Sequence, residues 1–187
     1  MTKSRIKIKL IAVMFLITRI ITFFIPETSF FGAKRVLYRM CGVKIGKNTR
    51  ICSSALIVPF GKVTIGYNVW IGPEVRIYCN EDSIVEIQNN VGIGPRAILQ
   101  LGFHEFNPTG NRIIANEGTS STIVLEDGSS IGAMAIILPG KRICKMAFVG
   151  AGSLVSKDIP AYSIAVGNPC KPIKKWNSET QKFDNIL

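Results

Sequence analysis

Histidine is almost missing from this chain: among 187 residues there is one, His104. The five cysteines, Cys41, Cys52, Cys79, Cys144 and Cys170, stand singly, with no C-x-x-C pair. A zinc site needs several His or Cys ligands at short spacing, so that class is set aside and no metal is expected. An odd, dispersed set of cysteines reads as small core residues in a reducing compartment, not as a disulfide framework. Acidic residues are scarce in the first quarter, where eleven basic side chains in residues 1–50 face Glu27 alone. The other 137 residues are nearly balanced, with twelve basic and eleven acidic. A long charge-free apolar run is also lacking there: residues 10–18 fall far short of the ~20 needed to cross a bilayer. What is present, 47% hydrophobic and 19% charged residues, excludes disorder and leaves enough apolar material for one packed domain.

The basic quarter is also greasy. Residues 6–25 are apolar except for Lys7, Lys9, Thr18, Arg19 and Thr22, and Pro26 ends the run. On a helical wheel Lys7, Thr18, Arg19 and Thr22 fall in one arc, shared with Ile11, Met14 and Phe15. The leading expectation is a helix lying in the plane of an anionic membrane surface through residues 1–28. The alternatives are a helix packed on the protein's own body, or a span or signal sequence, although no A-x-A-like cleavage site follows. Nucleic acid is not expected as a partner, because the basic residues sit among Ile, Leu and Phe instead of lining a polar groove. A second short amphipathic helix is expected over residues 30–41, closed by Gly42.

From residue 43 onward the helical period gives way to a period of six. Ile45, Ile51 and Ile57 form one series, Ile65, Ile71 and Ile77 a second, and Ile87, Ile93 and Leu99 a third. The last series runs unbroken through Leu125, Ile131, Ile137, Ile143, Val149 and Val155. All fifteen positions are Ile, Leu or Val, although only 51 of the 187 residues are of these types. Gly or a small residue follows many of them, as in Ile65-Gly66-Tyr67-Asn68 and Ile93-Gly94-Pro95. A β-sandwich alternates with period two and has no reason to lock to six. Three short strands joined by sharp turns make a coil of about eighteen residues, and stacked coils align the aliphatic residues into inward ladders.

The C-terminal repeats carry a more specific likeness. Ile131-Gly132-Ala133-Met134-Ala135-Ile136-Ile137-Leu138-Pro139-Gly140, Val149-Gly150-Ala151-Gly152-Ser153-Leu154-Val155 and Val166-Gly167-Asn168-Pro169-Cys170-Lys171-Pro172 resemble the hexapeptide-repeat acyltransferases. The branch is that of the galactoside, maltose and xenobiotic acetyltransferases, nearest to the sugar O-acetyltransferases of exopolysaccharide or capsule synthesis. The resemblance spans residues 43–175. It implies an all-β fold, a left-handed parallel β-helix of about five coils with N-terminal helices and a C-terminal tail. The organisation expected is a helical segment 1–42, a catalytic β-helix 43–160 with a loop at 101–121, and an extension 161–187. The resemblance also implies a homotrimer in which the loop of one subunit faces the coenzyme groove of the next.

The repeat is interrupted once at length, by a polar excursion over residues 102–121 that contains the single histidine. Long excursions from a tight solenoid are usually functional. In the resembled enzymes a histidine on this loop is the general base, so His104 is the expected catalytic residue; a neutral imidazole can take the proton of an attacking hydroxyl. Either Glu105 or a backbone carbonyl would orient the ring. By the same resemblance Ala133 supplies the oxyanion donor through its N–H, and Ala133, Ala151, Lys157 and Lys171 hold coenzyme A, the lysines facing its phosphates. Ser130 stands where many relatives carry Trp. The turn with Tyr78, Asn80 and Asp82 offers polar groups for a glycan or sugar acceptor, or else is a solvated bulge.

Three functional classes remain open at this point. The first is an acetyl-CoA-dependent O-acetyltransferase acting on a sugar hydroxyl in cell-surface polysaccharide biosynthesis. The second acetylates the amine of a nucleotide-linked amino sugar, or another small acceptor. The third is an inactive β-helical scaffold. Because acetyl-CoA is cytosolic, the expected location is cytoplasmic, peripheral on the inner face of the cytoplasmic membrane.

Overall fold

A computed structural model describes residues 3–104 and 118–186. Two helices, α1 (Lys3–Phe23) and α2 (Phe31–Met40), precede a run of short strands that stack on three faces. The first face stacks Lys44–Ile45, Lys62–Ile65, Ile84–Ile87, Thr122–Leu125 and Arg142–Ile143 in parallel. The second stacks Arg50–Ile51, Trp70–Ile71, Gly92–Ile93, Ser130–Ile131, Phe148–Val149 and Ser163–Val166. The third stacks Leu56–Ile57, Arg76–Tyr78, Ile98–Gln100, Ile136–Ile137 and Leu154–Val155. Each strand pairs with its equivalents one turn of chain above and below, which is the arrangement of a parallel β-helix.

The six-residue period is the cause of this shape. Ladder residues pair with ladder residues in register: Ile45 with Ile65, Ile71 with Ile93, Ile137 with Leu99. All fifteen point inward, and fourteen are at most 2% exposed, Ile45 at the first coil being 8%. A second inward column, two residues earlier, is less visible in the sequence because its residues are small or β-branched. Ala55, Val69, Val75, Val91, Ala97, Ala135 and Ala147 belong to it, and each is at most 1% exposed. Strand alternation explains it, since residues i and i−2 lie on the same side.

The corners carry the chain through left-handed backbone. One corner places Asn48, Asn68, Asn90, Gly128 and Met146 at φ between 54° and 70°, and the last four are each linked to the coil before; Asn90 N donates to Tyr67 O at 2.9 Å. The next corner does the same with Glu74, Arg96, Met134 and Gly152. Here the stacked turns nearly touch: a Cβ on Gly94 would lie 2.7 Å from the Ala133 nitrogen. Gly94→Ala is therefore expected to destabilise the fold by about 1–3 kcal/mol, the range for overpacking, read as a lowered midpoint in denaturant.

The ends of the stack are covered in different ways. At the C-terminal end the segment expected as a tail is ordered. Ser163–Val166 adds a parallel strand to the second face, past the expected boundary at 160, and Lys171–Asn177 and Lys182–Asn185 extend it antiparallel. The Trp176 and Phe183 rings meet edge to face at 5.1 Å. At the N-terminal end the basic residues have an internal use. Arg19 donates to Ala55 O (2.8 Å), Arg35 to Thr49 O (2.9 Å) and Arg39 to Ile45 O (2.6 Å), so guanidinium groups satisfy carbonyls of the first coil. Lys34 is wholly buried, with its Nζ 2.8 Å from Glu27 O and 5.0 Å from the Phe31 ring centre. Burial pushes its ammonium below the ordinary lysine range, opposed by the charge of nearby Glu27.

Candidate active site

The third corner, from the third face back to the first, is the one whose length varies. It is a short turn at 58–61 and a longer one at 79–83. One coil further on, it opens into the excursion, whose residues 105–117 lie outside the described part, Glu105 among them. The excursion leaves and returns as a two-stranded antiparallel ribbon, Gly102–His104 against Gly118–Ser120, with His104 opposite Gly118. Stacking alone thus sets the ribbon directly above the turn at 79–83.

Hydrogen bonds fix that contact. Leu101 N donates to Tyr78 O (3.3 Å), Gln100 Nε2 to Gly102 O (2.7 Å) and Ser121 Oγ to Leu101 O (2.6 Å). Asn80 ties the two levels together: Nδ2 donates to Thr119 O at 3.2 Å, while Oδ1 accepts from Ser83 Oγ. The result is an open cleft of about 400 Å³ lined by Tyr78, Asn80, Gln100, Gly102, Phe103, His104 and Thr119. His104 and Phe103 are exposed on its wall, and Tyr78 is 40% exposed.

Two of the three expected acceptor residues, Tyr78 and Asn80, thus share a cleft with His104. Asn80 commits its amide to the scaffold, which leaves Tyr78 as the more available polar group. Asp82 is not brought there. Ser83 N bonds back to Asn80 O (3.1 Å), so the chain reverses, and Asp82 lines a different cleft with Glu81, Lys62, Phe60, Ile8 and Ile11. Gln100, Phe103 and Thr119 were not singled out from the sequence. The usable signal was their place beside the interruption, at the last strand before it and on the ribbon itself.

Cysteine chemistry is absent from the cleft wall. Cys79, between Tyr78 and Asn80, is buried, and burial raises its thiol to about 12, so it stays neutral and unreactive at physiological pH. Cys52 is likewise raised by burial, to about 11. Among the described residues no group of three His, Cys, Asp or Glu side chains stands close enough to hold a metal ion.

The residues expected to hold coenzyme A lie elsewhere on this chain. Ala133 and Ala151 occupy the second corner, one coil apart, with Gly152 N donating to Ala133 O at 2.8 Å. Ala133 is half-buried and Ala151 exposed. Lys157 is exposed on the third corner, two coils beyond the ribbon, and Lys171 is exposed at the start of the first antiparallel strand. None of the four lines the His104 cleft.

The chain is 30% identical over 143 residues to the galactoside O-acetyltransferase of Lactococcus lactis, covering 76% of this chain and 68% of that protein. The chain belongs to the hexapeptide-repeat acetyltransferases. It is an acyltransferase by that membership, of the branch similar to galactoside and maltose O-acetyltransferases. It spans 56% and 63% of the length of two further curated relatives. The folds agree. A hexapeptide-repeat acetyltransferase of Vibrio cholerae, solved with acetyl-coenzyme A, superposes with a TM-score of 0.69 at 18% identity, over 93% of this chain and 89% of that one. A maltose O-acetyltransferase of Clostridium difficile superposes with a TM-score of 0.65 at 24% identity, over 91% and 88%. No family model matches the chain.

Proposed function

We propose that this hexapeptide-repeat acetyltransferase moves an acetyl group from acetyl-CoA to a sugar hydroxyl in cell-surface polysaccharide synthesis, on the cytoplasmic side of the membrane. One observation carries the reading: the single histidine stands on the ribbon at the chain's one long interruption, in a cleft shared with Tyr78, Gln100 and Thr119. A sugar hydroxyl fits that wall, which offers an aromatic surface from Tyr78 and Phe103 beside polar groups. His104 accepts the proton of the hydroxyl as its oxygen bonds to the thioester carbon. The N–H of Ala133 donates to the oxygen that becomes negative. His104 then returns the proton to the departing thiol sulfur as the C–S bond breaks, so the ring ends neutral.

The active unit in this reading is a homotrimer. Its support is the separation noted above: the residues assigned to the donor lie on other corners and coils than the His104 cleft. A neighbouring subunit that sets its second corner against that cleft completes the site. Light scattering should then give three times 20.5 kDa, and a stable monomer with full activity would refute the arrangement.

The reading is tested by incubating purified protein with acetyl-CoA and a panel of sugars and amino sugars while following release of free thiol. Release that depends on a hydroxyl acceptor is expected. Release with amine acceptors alone would favour N-acetylation, and no release with any acceptor would sink the proposal.

A further inference from the structure

Among the described residues a large exposed apolar surface belongs to α1, and the catalytic reading makes no use of it. On this helix Ile6, Leu10, Val13, Leu16, Ile17, Ile20, Ile21 and Phe23 are between 41% and 80% exposed, and Phe24 just beyond it is 78% exposed. At 100° per residue these positions fill one side of the helix, with Lys9 among them. The opposite side is used by the body. Thr18 and Thr22 are buried; Thr18 Oγ1 lies 3.4 Å from Cys41 Sγ; Arg19 is bonded to Ala55 O; Phe15 meets Phe60 edge to face at 6.4 Å. The arc of Thr18, Arg19 and Thr22 therefore faces protein, and the apolar arc has no partner among the described residues.

We propose that this face of α1 docks the enzyme on an anionic lipid surface, with the helix lying in the membrane plane while it remains attached to the β-helix. Charge selects this occupant. The helix contains no acidic residue, and Lys3, Arg5, Lys7 and Lys9 crowd its first two turns. Exposed Arg39, Lys44, Lys47 and Arg50 follow in the same quarter of the chain. A two-fold contact with a second copy would bring this basic segment against itself, whereas anionic headgroups neutralise it. The apolar side chains enter the boundary between headgroups and acyl chains, with the Phe23–Phe24 pair, centroids 5.2 Å apart, at the helix end. Crossing the bilayer is not the mode, for no helix among the described residues is long and apolar enough to span one. The bonds of Arg19 and Thr18 also hold α1 flat on the body.

The test is flotation of the full-length protein with phosphatidylglycerol/phosphatidylcholine vesicles and with phosphatidylcholine vesicles alone, without acetyl donor, so that its outcome is independent of the catalytic reading. The wild type should float with the anionic vesicles, several-fold more than with the neutral ones. Lys9→Gln should weaken anionic binding about fivefold. The double variant Leu16→Glu/Ile20→Glu should lose flotation by more than about tenfold, with unchanged melting temperature and particle mass. Failure of the wild type to float, or equal flotation on neutral vesicles, would overturn the proposal. So would a double variant that floats like wild type, or one whose particle mass falls, since the face would then join copies of the chain.

Discussion

His104→Ala should lower turnover by about 10²–10⁴-fold, the range for loss of a general base, while coenzyme A affinity stays nearly unchanged. The reason for the split lies in the placement of the groups. The residues assigned to the donor, Ala133, Ala151, Lys157 and Lys171, do not line the His104 cleft. In the proposed mechanism, removing the imidazole therefore leaves the assigned donor contacts intact and takes away the group assigned to remove the hydroxyl proton as bonding begins. An alcohol is a weak nucleophile at neutral pH, so the loss falls on kcat. Cys79, next to Tyr78 in the chain, is buried with its thiol raised to about 12 and cannot substitute. Steady-state kinetics with acetyl-CoA varied, plus direct measurement of coenzyme A binding, separate the two quantities. A mutant with wild-type turnover removes His104 from the mechanism; one with lost binding makes its role structural.

Ile93→Ala should destabilise the protein by about 2–5 kcal/mol, whereas Ile20→Ala should change stability by less than about 0.5 kcal/mol. The residue type is the same and the change is the same. Ile93 is fully buried in the middle of the second face, stacked in register between Ile71 and Ile131. Ala there leaves a cavity that the rungs above and below cannot close, because their backbones are already hydrogen-bonded at fixed spacing. Each coil contacts only its neighbours, so damage to one rung weakens its contacts with the rungs on either side. Ile20 is 54% exposed on α1 and stacks on no ladder. Denaturant unfolding of both variants tests the contrast. Equal losses would mean that α1 packs its apolar side inward, against the arrangement described.

The corners show why the candidate cleft was only partly legible. His104 could be found from its isolation and from the break in the six-residue period. That Tyr78 and Asn80 stand beside it follows from coil stacking, which brings positions about twenty residues apart into register. Gln100 and Thr119 flank the break and escaped notice, because in sequence they look like ordinary strand residues. Asp82 looked equivalent to Asn80. The turn at 79–83 separates them, since the hydrogen bond from Ser83 N to Asn80 O reverses the chain between them.

By itself the sequence determined the solenoid. An aliphatic residue at every sixth position can be buried only if the chain turns after each short strand, and the inward ladders follow from that periodicity without any long-range information. It also determined that an apolar, basic helix precedes the first coil. Only the tertiary structure decided which way that helix faces and what its charges do. Thr18 and Thr22 look like a water-facing arc on a wheel, yet they are buried, because Thr22 Oγ1 bonds its own helix at Arg19 O (3.2 Å) and Thr18 meets Leu37 on α2 and Cys41 just beyond it. Arg19, Arg35 and Arg39 count as surface charge in any composition, but the first coil is an open sheet edge with unpaired carbonyls, and their guanidinium groups close it. A periodic pattern is local and can be read along the chain. The partner of a helix face or of an edge carbonyl is set by what the fold brings opposite it.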